Sequence, residues 1–295
     1  SSADELSSLL AAGSVTAHDV AALGAGIARF HAAAAPAPAG SPFGRAGTAH
    51  RVTMDNFAEL RALPEAADWA SQLPALESRI STLHRGLRPL MDERYEGGRV
   101  RECHGDLHLG NLVLLDGRPT PFDCIEFNED FRWIDVAAEI AFTWLDLLDH
   151  GRPGLAGWFL NEWLLWSGDY DALAVLRFYA VYRAMVRAKV AAIQGKDAEA
   201  GEYLAMAEAL TVPPPASLTI TFGLSGSSEP LNPGNAPESE RMLRATESSN
   251  APPAMMIATK TNTNTPVMIA GMRLFLRVMD TLRCIAAQTL SRNLH

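Results

Sequence analysis

The segment between residues 101 and 123 concentrates the side chains that could do chemistry. It contains His104, Asp106 and Asn111, and Asp123 follows twelve residues after Asn111. Carboxylate and amide oxygens are ligands that suit Mg²⁺, which completes its shell with water and phosphate oxygens. A further carboxylate that is not bound to the metal can orient and deprotonate an attacking hydroxyl group. These residue types therefore predict a magnesium-assisted transfer to a hydroxyl group.

A β-hairpin is predicted to bring these side chains together. Two extended runs flank Asp116-Gly117, a dipeptide favoured in two-residue turns because both positions tolerate a positive φ. Asn111 precedes this turn by five residues and Asp123 follows it by six, so they lie roughly opposite each other at the open end of the hairpin. Glycines in the preceding loop let the backbone turn tightly, which places Asp106 beside this pair.

The sequence His-Gly-Asp-Leu-His-Leu-Gly-Asn, with an aspartate closing the hairpin, resembles the catalytic loop and metal-binding aspartate of aminoglycoside phosphotransferases and the related choline-kinase-like enzymes. The resemblance implies a protein-kinase-like fold that transfers the γ-phosphoryl group of ATP to a small-molecule hydroxyl, with ATP and Mg²⁺ as cofactors. It implies that Asp106 is the catalytic base and that His104 braces the loop. Asn111 and Asp123 would hold Mg²⁺.

The same resemblance implies a supporting role for two acids in the helix that is predicted after the hairpin. A long apolar helix is predicted from Trp133 onwards, and Asp135 and Glu139, four residues apart, share one face of it. In the resembling family, acids near these positions lie behind the catalytic loop. A solvated helix face is the alternative interpretation for Glu139. Arg183 and Arg187 could counter the acidic centre, although a solvated stripe is the simpler interpretation.

A transition-metal site in a hydrolase is the alternative from another enzyme class. Thiolate and imidazole groups that suit zinc occur in the same loop at Cys103, His104 and His108, and the carboxylate of Asp106 would complete the cluster. No second segment rich in histidine or cysteine stands at a plausible spacing, which disfavours this interpretation. For His108 alone, a hydrogen bond to the backbone explains the residue as well as a catalytic role does. Cys103 and Cys124 are predicted to be small buried packing residues.

Composition bounds the class of protein and its partners. The 295 residues are 48% hydrophobic, enough for a globular core. Three scattered cysteines, no basic leader and no long apolar run predict a cytoplasmic protein that does not contact the membrane. The net charge of −9 argues against nonspecific binding to nucleic acid. Acids such as Glu126, Glu129 and Asp130 could steer a cationic substrate, although an ordinary acidic surface is the simpler interpretation.

Helical patterns dominate the first 212 residues. Apolar residues at helical spacing predict helices over 16–30, 54–63, 76–91, 133–148, 155–166 and 171–194. The predicted fold class is mainly α with a small β-hairpin (α+β), which corresponds to the helical carboxy-terminal lobe of a protein-kinase-like fold. No lysine precedes Lys189, whereas the amino-terminal lobe of such a fold needs one to bind nucleotide phosphates. We therefore expect that lobe to be missing, which leaves a catalytically inactive binding module as the alternative function.

The sequence after the helical region resembles the start of a second domain. Residues 213–217 form a proline-rich linker that is predicted to end the kinase-like domain of residues 1–212. A strand pattern then runs into a segment containing Gly223 and Gly226, similar to the start of a phosphate-binding loop. This order resembles bacterial proteins in which a phosphotransferase domain is followed by a P-loop ATP-binding kinase domain.

The similarity to a phosphate-binding loop ends at Ser227. Residues 228–230 are Ser-Glu-Pro where the motif requires Gly-Lys-Ser or Gly-Lys-Thr, so we expect the two preceding glycines to bind no nucleotide. Hydrophobic patterning, aromatic content and charge sign change together at this point, which favours a shift of reading frame in the coding DNA. We expect residues 218–295 to form a largely disordered tail.

Overall fold

The computed structural model describes residues 5–63, 69 and 71–212 of the chain. Within these residues the helices are α1 (Leu6–Ala11), α2 (Ala17–Ala33), α3 (Ala46–Arg61), α4 (Leu73–Glu96), α5 (Glu129–Arg132), α6 (Val136–Asp149), α7 (Pro153–Ser167), α8 (Ala172–Ile193) and α9 (Asp197–Thr211). The strands are β1 (Val100–Glu102), β2 (Leu112–Leu115), β3 (Arg118–Pro121) and β4 (Trp133–Asp135), and a 3₁₀ turn spans Leu109–Asn111.

The mainly helical architecture with a small antiparallel β part confirms the predicted fold class. None of the helices in the described part of the chain combines the length and apolarity needed to cross a lipid bilayer. The linker 213–217, the glycine-rich segment with Gly223 and Gly226, and the predicted tail 218–295 lie outside the described residues.

The interior is built from long helices that pack on one another in pairs. Helix α2 packs against α7, and α8 packs against both α6 and α9. The largest side chains of this core have almost no exposed surface, among them Phe57, Phe142, Trp144, Phe159, Trp163, Phe178 and Tyr203. Burying one such side chain contributes roughly 1.5–3 kcal/mol to folding. Because helices cover α6 on most sides, all of its residues up to Leu147 are buried.

The hairpin of β2 and β3 matches its sequence signals closely. The register pairs Leu112 with Pro121 and Leu115 with Arg118, which leaves two residues in the turn. Asp116 has a φ of 50° and the following glycine a φ of 73°, as a turn with two left-handed residues requires. The predicted hairpin is therefore confirmed, and its open end faces the loop that begins at His104.

The long helix predicted from Trp133 begins three residues later than expected. Trp133–Asp135 instead forms strand β4, which pairs in antiparallel fashion with β1. Asp135 then caps α6, because its Oδ1 accepts the Ala137 N–H at 2.8 Å. Periodicity did not separate strand from helix here because β4 owes its conformation to a partner strand that lies more than thirty residues earlier.

The helix predicted over 16–30 begins at a capping box. Thr16 Oγ1 accepts the Asp19 N–H, and the Asp19 carboxylate accepts the Thr16 N–H at 2.8 Å, so α2 begins with a reciprocal capping box. Val20, Leu23 and Ile27 then form its buried stripe. Helix α2 is therefore fixed at its start and along one face, which matters for the site because His31 lies in its last turn.

Candidate active site

The loop between β1 and β2 brings Asp106 and Asn111 together. Asn111 closes the 3₁₀ turn, and its Nδ2 donates to the backbone oxygen of Asp106 at 3.0 Å and to Asp106 Oδ2 at 3.1 Å. Asn111 is buried, whereas the Asp106 side chain is partly exposed. An amide thus orients a carboxylate that solvent can reach, and such a carboxylate can accept a proton from a bound hydroxyl group.

His104 joins the loop to the open end of the hairpin. Its Nδ1 accepts the Asp106 N–H at 3.3 Å, so Nε2 carries the ring proton and donates to the Phe122 carbonyl oxygen at 2.8 Å. The His104 carbonyl oxygen accepts the Ile125 N–H at 2.9 Å. Because both ring nitrogens bind backbone groups, the geometry of His104 matches a bracing role.

One face of α6 binds the backbone of the loop at three points. Three buried polar side chains recur there at a spacing of four and then three residues, which aligns them on one stripe of an otherwise apolar helix. The bonds join Glu139 Oε1 to Gly105 N (2.7 Å), Thr143 Oγ1 to Leu107 O (2.6 Å) and Asp146 Oδ2 to Leu109 N (2.9 Å). The catalytic-loop backbone is therefore held between the hairpin and α6.

The two acids assigned behind the loop occupy different positions. Glu139 has no exposed surface and binds the loop directly, so a solvated helix face is the wrong interpretation for this residue. The reason is that α6 lies inside the helical core. Asp135 is also buried, but its carboxylate binds Arg94 and caps α6, and no hydrogen bond joins it to the loop in the described part of the chain.

Arg94 is a buried structural residue that no motif or spacing in the sequence singled out. Its guanidinium group donates to Asp135 at 2.7 and 2.8 Å and to Asp169 at 2.8 and 2.9 Å. Burial alone lowers the pKa of Arg94, but the two carboxylates raise it above its ordinary value. This buried cluster ties α4 to the start of α6 and to the turn before α8.

The pKa of Asp106 lies below its ordinary value of 3.8. Burial alone raises it, but the neighbouring imidazole of His108 and the charge of Arg183 outweigh that effect. His108 Nε2 lies 3.6 Å from Asp106 Oδ2, and His108 Nδ1 accepts the Gly110 N–H at 3.1 Å. The carboxylate of Asp106 is therefore ionised at neutral pH.

The prediction of a solvated stripe at Arg183 and Arg187 is wrong. Arg183 is 4% exposed, and its Nε donates to the Ala138 carbonyl oxygen at 3.1 Å. Arg187 Nη2 lies 3.0 Å from Tyr203 Oη, and Arg187 Nε lies 3.7 Å from an oxygen of Asp146. Both arginines face inward because α8 is covered by α6 on one side and by α9 on the other.

Asp123 lies two residues after the end of β3 and has a left-handed φ of 59°. The Phe122 N–H donates to the Asn111 carbonyl oxygen at 3.1 Å, so Asp123 stands one residue beyond the position opposite Asn111. Its carboxylate is exposed and makes no hydrogen bond with Asp106, with Asn111 or with any other described residue. The backbone of Asp123 therefore lies beside the loop, but its side chain forms no hydrogen bond with the side chains of Asp106 and Asn111.

The oxygen atoms at the end of the hairpin fit Mg²⁺. Asn111 uses its Nδ2 to bind Asp106, and its Oδ1 accepts no hydrogen bond from the described residues. The Asp123 carboxylate likewise has no internal partner in this part of the chain. Hard oxygen donors that are not consumed by internal hydrogen bonds are what a Mg²⁺ site requires of a protein.

The predicted transition-metal cluster of Cys103, His104, Asp106 and His108 does not form. The ring nitrogens of His104 are both occupied by backbone groups. The Cys103 thiol points instead towards the Ile134 carbonyl oxygen, 3.7 Å away. Cys103 is buried as predicted, but Cys124 is exposed, so its prediction as a buried packing residue is wrong.

Cys103 lies close to a different pair of possible ligands, His31 and Glu139. Their ligand atoms are all within 4.8 Å of one another. However, Trp163 Nε1–H donates to His31 Nδ1, so Nε2 carries the ring proton and points at Glu139 Oε2, 2.7 Å away. A metal ion bound to Nε2 would displace that proton to Nδ1. The Nδ1–H would then face the Trp163 N–H, and their hydrogen bond would be lost. Burial also raises the pKa of the Cys103 thiol, which opposes thiolate formation.

A cavity of about 810 Å³ opens between α2, β3 and the segment after β3. Apolar side chains such as Ile27 and Phe30 line one part of it. Three carboxylates, those of Glu102, Asp123 and Glu126, line another part. The volume is in the range of small-molecule sites, and Asp123 belongs both to the cavity wall and to the predicted metal site.

Comparisons with known proteins agree with the chemistry of the loop. A family model described as a phosphotransferase enzyme family matches residues 8–179, which include the loop, the hairpin and all of α6. Uncharacterized proteins of Mycobacterium tuberculosis and Mycobacterium bovis are 31% identical over 200 residues. The alignment covers 67% of this chain and 40% of each relative, so the chain spans less than half the length of these relatives.

Proposed function

The chain belongs to the phosphotransferase enzyme family, and on that basis we propose that it transfers the γ-phosphoryl group of ATP to a hydroxyl group of a small molecule. The observation that carries the proposal is the pair of Asp106 and Asn111, joined by a side-chain hydrogen bond on a loop that α6 binds at three points. Phosphoryl transfer depends mainly on positioning and electrostatic stabilisation, which a preorganised loop supplies.

Asp106 acts as the base in this reaction. Its carboxylate is ionised at neutral pH and accepts the proton of the substrate hydroxyl while the hydroxyl oxygen bonds to the γ-phosphorus. The bond between the γ-phosphorus and its bridging oxygen breaks, and ADP leaves with that oxygen. Asn111 Nδ2 orients the carboxylate, and His104 holds the Asp106 backbone N–H.

The oxygens of Asn111 and Asp123 are assigned to Mg²⁺. The bound ion would supply neutralisation of the negative charge on the nucleotide phosphates. Asn111 would then serve the site twice, because its Nδ2 holds Asp106 while its Oδ1 would be free to bind the metal. The left-handed backbone at Asp123 supports this assignment, since uncommon backbone conformations outside glycine concentrate at functional sites.

The acceptor is proposed to be a small cationic molecule. Glu102 is paired with Arg132 on the cavity wall at 3.2 Å, but the carboxylates of Asp123 and Glu126 line the cavity without an ion pair among the described residues, and the net charge of the chain is −9. Acidic groups on a concave surface raise the local concentration of cations. The apolar wall at Ile27 and Phe30 would contact an uncharged part of the same molecule.

Measurement of nucleotide binding distinguishes a phosphotransferase from a catalytically inactive protein with the same fold. ATP is titrated calorimetrically into the full chain, once with Mg²⁺ and once with a chelator. The proposal expects binding that depends on Mg²⁺ and that Asp123→Asn abolishes. Asp116→Asn is the matched control, because it makes the same change at the other end of the hairpin. Equal affinity with and without Mg²⁺, or equal losses in the two variants, would contradict the metal assignment.

A further inference from the structure

A buried chain of hydrogen bonds connects α7 to the loop that carries Asp106. Trp163 Nε1–H donates to His31 Nδ1 over 3.2 Å, and His31 Nε2 lies 2.7 Å from Glu139 Oε2. The second carboxylate oxygen, Glu139 Oε1, accepts the Gly105 N–H at 2.7 Å. The three residues of this relay, Trp163, His31 and Glu139, are each at most 3% exposed.

The donor and acceptor groups of the relay determine which of its atoms carry protons. An indole N–H can only donate, so His31 Nδ1 accepts and carries no proton. The ring proton is therefore on His31 Nε2, and it is donated to the carboxylate of Glu139, which can only accept while ionised. Nδ1 therefore accepts a hydrogen bond and Nε2 donates one, and a ring in the flipped orientation would lose both bonds.

We propose that His31 and Trp163 are positioning residues. They hold the Glu139 carboxylate in place, and its hydrogen bond to the Gly105 N–H in turn determines the position of the Asp106 carboxylate. The inference rests on the proposed function, because the position of this loop matters for catalysis only if Asp106 is the base. It assigns a role in the reaction to α7, which otherwise packs in the core, and a second role to α2, which also lines the cavity.

The backbone at Gly105 has little freedom to adopt another position. Its φ is 88°, and a Cβ built there would lie 2.6 Å from the Phe131 carbonyl oxygen. Gly105 is therefore held between Phe131 on one side and the Glu139 carboxylate on the other. Since Asp106 is the next residue, loosening the bond to Glu139 changes the direction in which the Asp106 side chain leaves the backbone.

Glu139 needs His31 in order to remain an ionised acceptor. Burial alone raises the pKa of Glu139, but the hydrogen bonds from the neutral imidazole of His31 and from the Gly105 N–H lower it below its ordinary value of 4.5. Without His31, Glu139 Oε2 would lose its hydrogen-bond partner among the described residues. The carboxylate would then take up a proton or bind water from the cavity it lines, and a neutral acceptor binds the Gly105 N–H more weakly.

Close packing of α2 against α7 sets the distance between His31 and Trp163. A Cβ on Gly24 would lie 2.5 Å from the Phe159 carbonyl oxygen, so only glycine permits this approach of the two backbones. Gly24 precedes His31 by seven residues, and Phe159 precedes Trp163 by four. The variant Gly24→Ala should therefore lengthen the relay without changing any of its members.

Hydrogen exchange of the Gly105 amide, followed by NMR on the full chain, tests the relay without any assay of activity. We expect His31→Leu to speed exchange at Gly105 by about 10-fold or more relative to core amides that do not touch the relay. His31→Gln keeps an N–H for Glu139 and should stay within about threefold of the original protein. His84→Leu is the matched control, because His84 is also buried but binds the carbonyl oxygen of Ala46.

A second pair of variants separates the effect of losing the Trp163 hydrogen bond from the effect of losing side-chain volume. Trp163 and Trp144 are both buried, but Trp144 Nε1 has no hydrogen-bond partner among the described residues. Trp163→Phe should therefore speed exchange at Gly105 selectively, whereas Trp144→Phe should not. Gly24→Ala should act like Trp163→Phe. Uniform faster exchange across the core in all of these variants, or unchanged exchange at Gly105, would overturn the proposal.

Turnover distinguishes a failure of the relay from a failure of the proposed function. If the protein transfers phosphoryl groups, His31→Leu should lower kcat by about 10-fold or more with little change in KM, and His31→Gln should restore it. If the original protein transfers none, the exchange experiment still decides whether the relay holds Gly105. Normal turnover together with normal Gly105 exchange in His31→Leu would show that the relay is wrong while the proposed function stands.

Discussion

Glu139 Oε1 lies 2.7 Å from the backbone nitrogen of Gly105, so a carboxylate with no exposed surface binds the chain one residue before Asp106. An ionised group can occupy such a position only when hydrogen-bond donors surround it. Gly105 supplies one donor and His31 the other. The rigidity of the loop thus depends on a charge that the helical core keeps away from water.

The substitution Glu139→Gln should lower the free energy of unfolding at neutral pH by roughly 1–3 kcal/mol. Glutamine can still accept the Gly105 N–H, but its amide N–H then faces the His31 Nε2 proton. Because the folded pKa of Glu139 lies below its ordinary value, its stabilising effect is complete above pH 4.5 and is lost as the pH falls through the folded pKa. The difference between the two proteins, measured by chemical denaturation, should therefore shrink below pH 4.5.

Glu208→Gln is the control for this measurement. Glu208 pairs with Arg79 on the surface, where both side chains are nearly half exposed. The change should alter the unfolding free energy by less than about 0.5 kcal/mol. A difference between Glu139→Gln and the original protein that stays constant from pH 7 to pH 3 would contradict the assigned ionisation of Glu139.

Local signals were sufficient to predict the hairpin and the residues of the loop. The turn at Asp116 needs positive φ at two successive positions, and few dipeptides tolerate that. The predicted pairing of Asp106 with Asn111 follows from the same short segment. The buried stripe on α6 could have been found as well, since Thr143 and Asp146 interrupt an apolar helix at helical spacing from Glu139.

The partners of that stripe could not be predicted, because they lie far away in the sequence. His31 and Glu139 are separated by 108 positions, and Arg94 and Asp135 by 41. Such pairs are decided by how helices pack, which a pattern within one helix does not encode. The same limit explains the error at Arg183, since charged side chains are mostly exposed unless a distant partner or a covering helix buries them.

Thr143→Val should reduce turnover while affecting stability only modestly. The change preserves shape but removes the hydrogen bond to the Leu107 carbonyl oxygen, which should lower the unfolding free energy by about 1 kcal/mol. Thr53→Val is a matched control, because Thr53 is equally buried and donates to the Ala49 carbonyl oxygen at 2.7 Å within α3. Steady-state kinetics should show a lower kcat for the first variant alone. Equal kcat values would mean that this contact does not position the loop.

Arg94→Leu should be strongly destabilising, by about 3–5 kcal/mol, because it leaves the buried carboxylate of Asp135 without its cation and leaves Asp169 only the more exposed Arg99, 3.7 Å away. The loss should extend to the start of α6, which Asp135 caps. Arg79→Leu removes a surface ion pair instead and should change the unfolding free energy by less than about 1 kcal/mol. Similar midpoints of urea denaturation for the two variants would contradict the structural role of Arg94.

The most direct measurement of the central claim follows the phosphoryl group itself. The full chain is incubated with Mg²⁺, ATP labelled in its γ-phosphate and pools of small cationic alcohols, and labelled products are separated from nucleotide. The account predicts a labelled product with the original protein, none with ATP labelled in its α-phosphate, and a rate lower by about 10²-fold or more in Asp106→Ala. Undiminished transfer by Asp106→Ala, or transfer that does not require Mg²⁺, would contradict it.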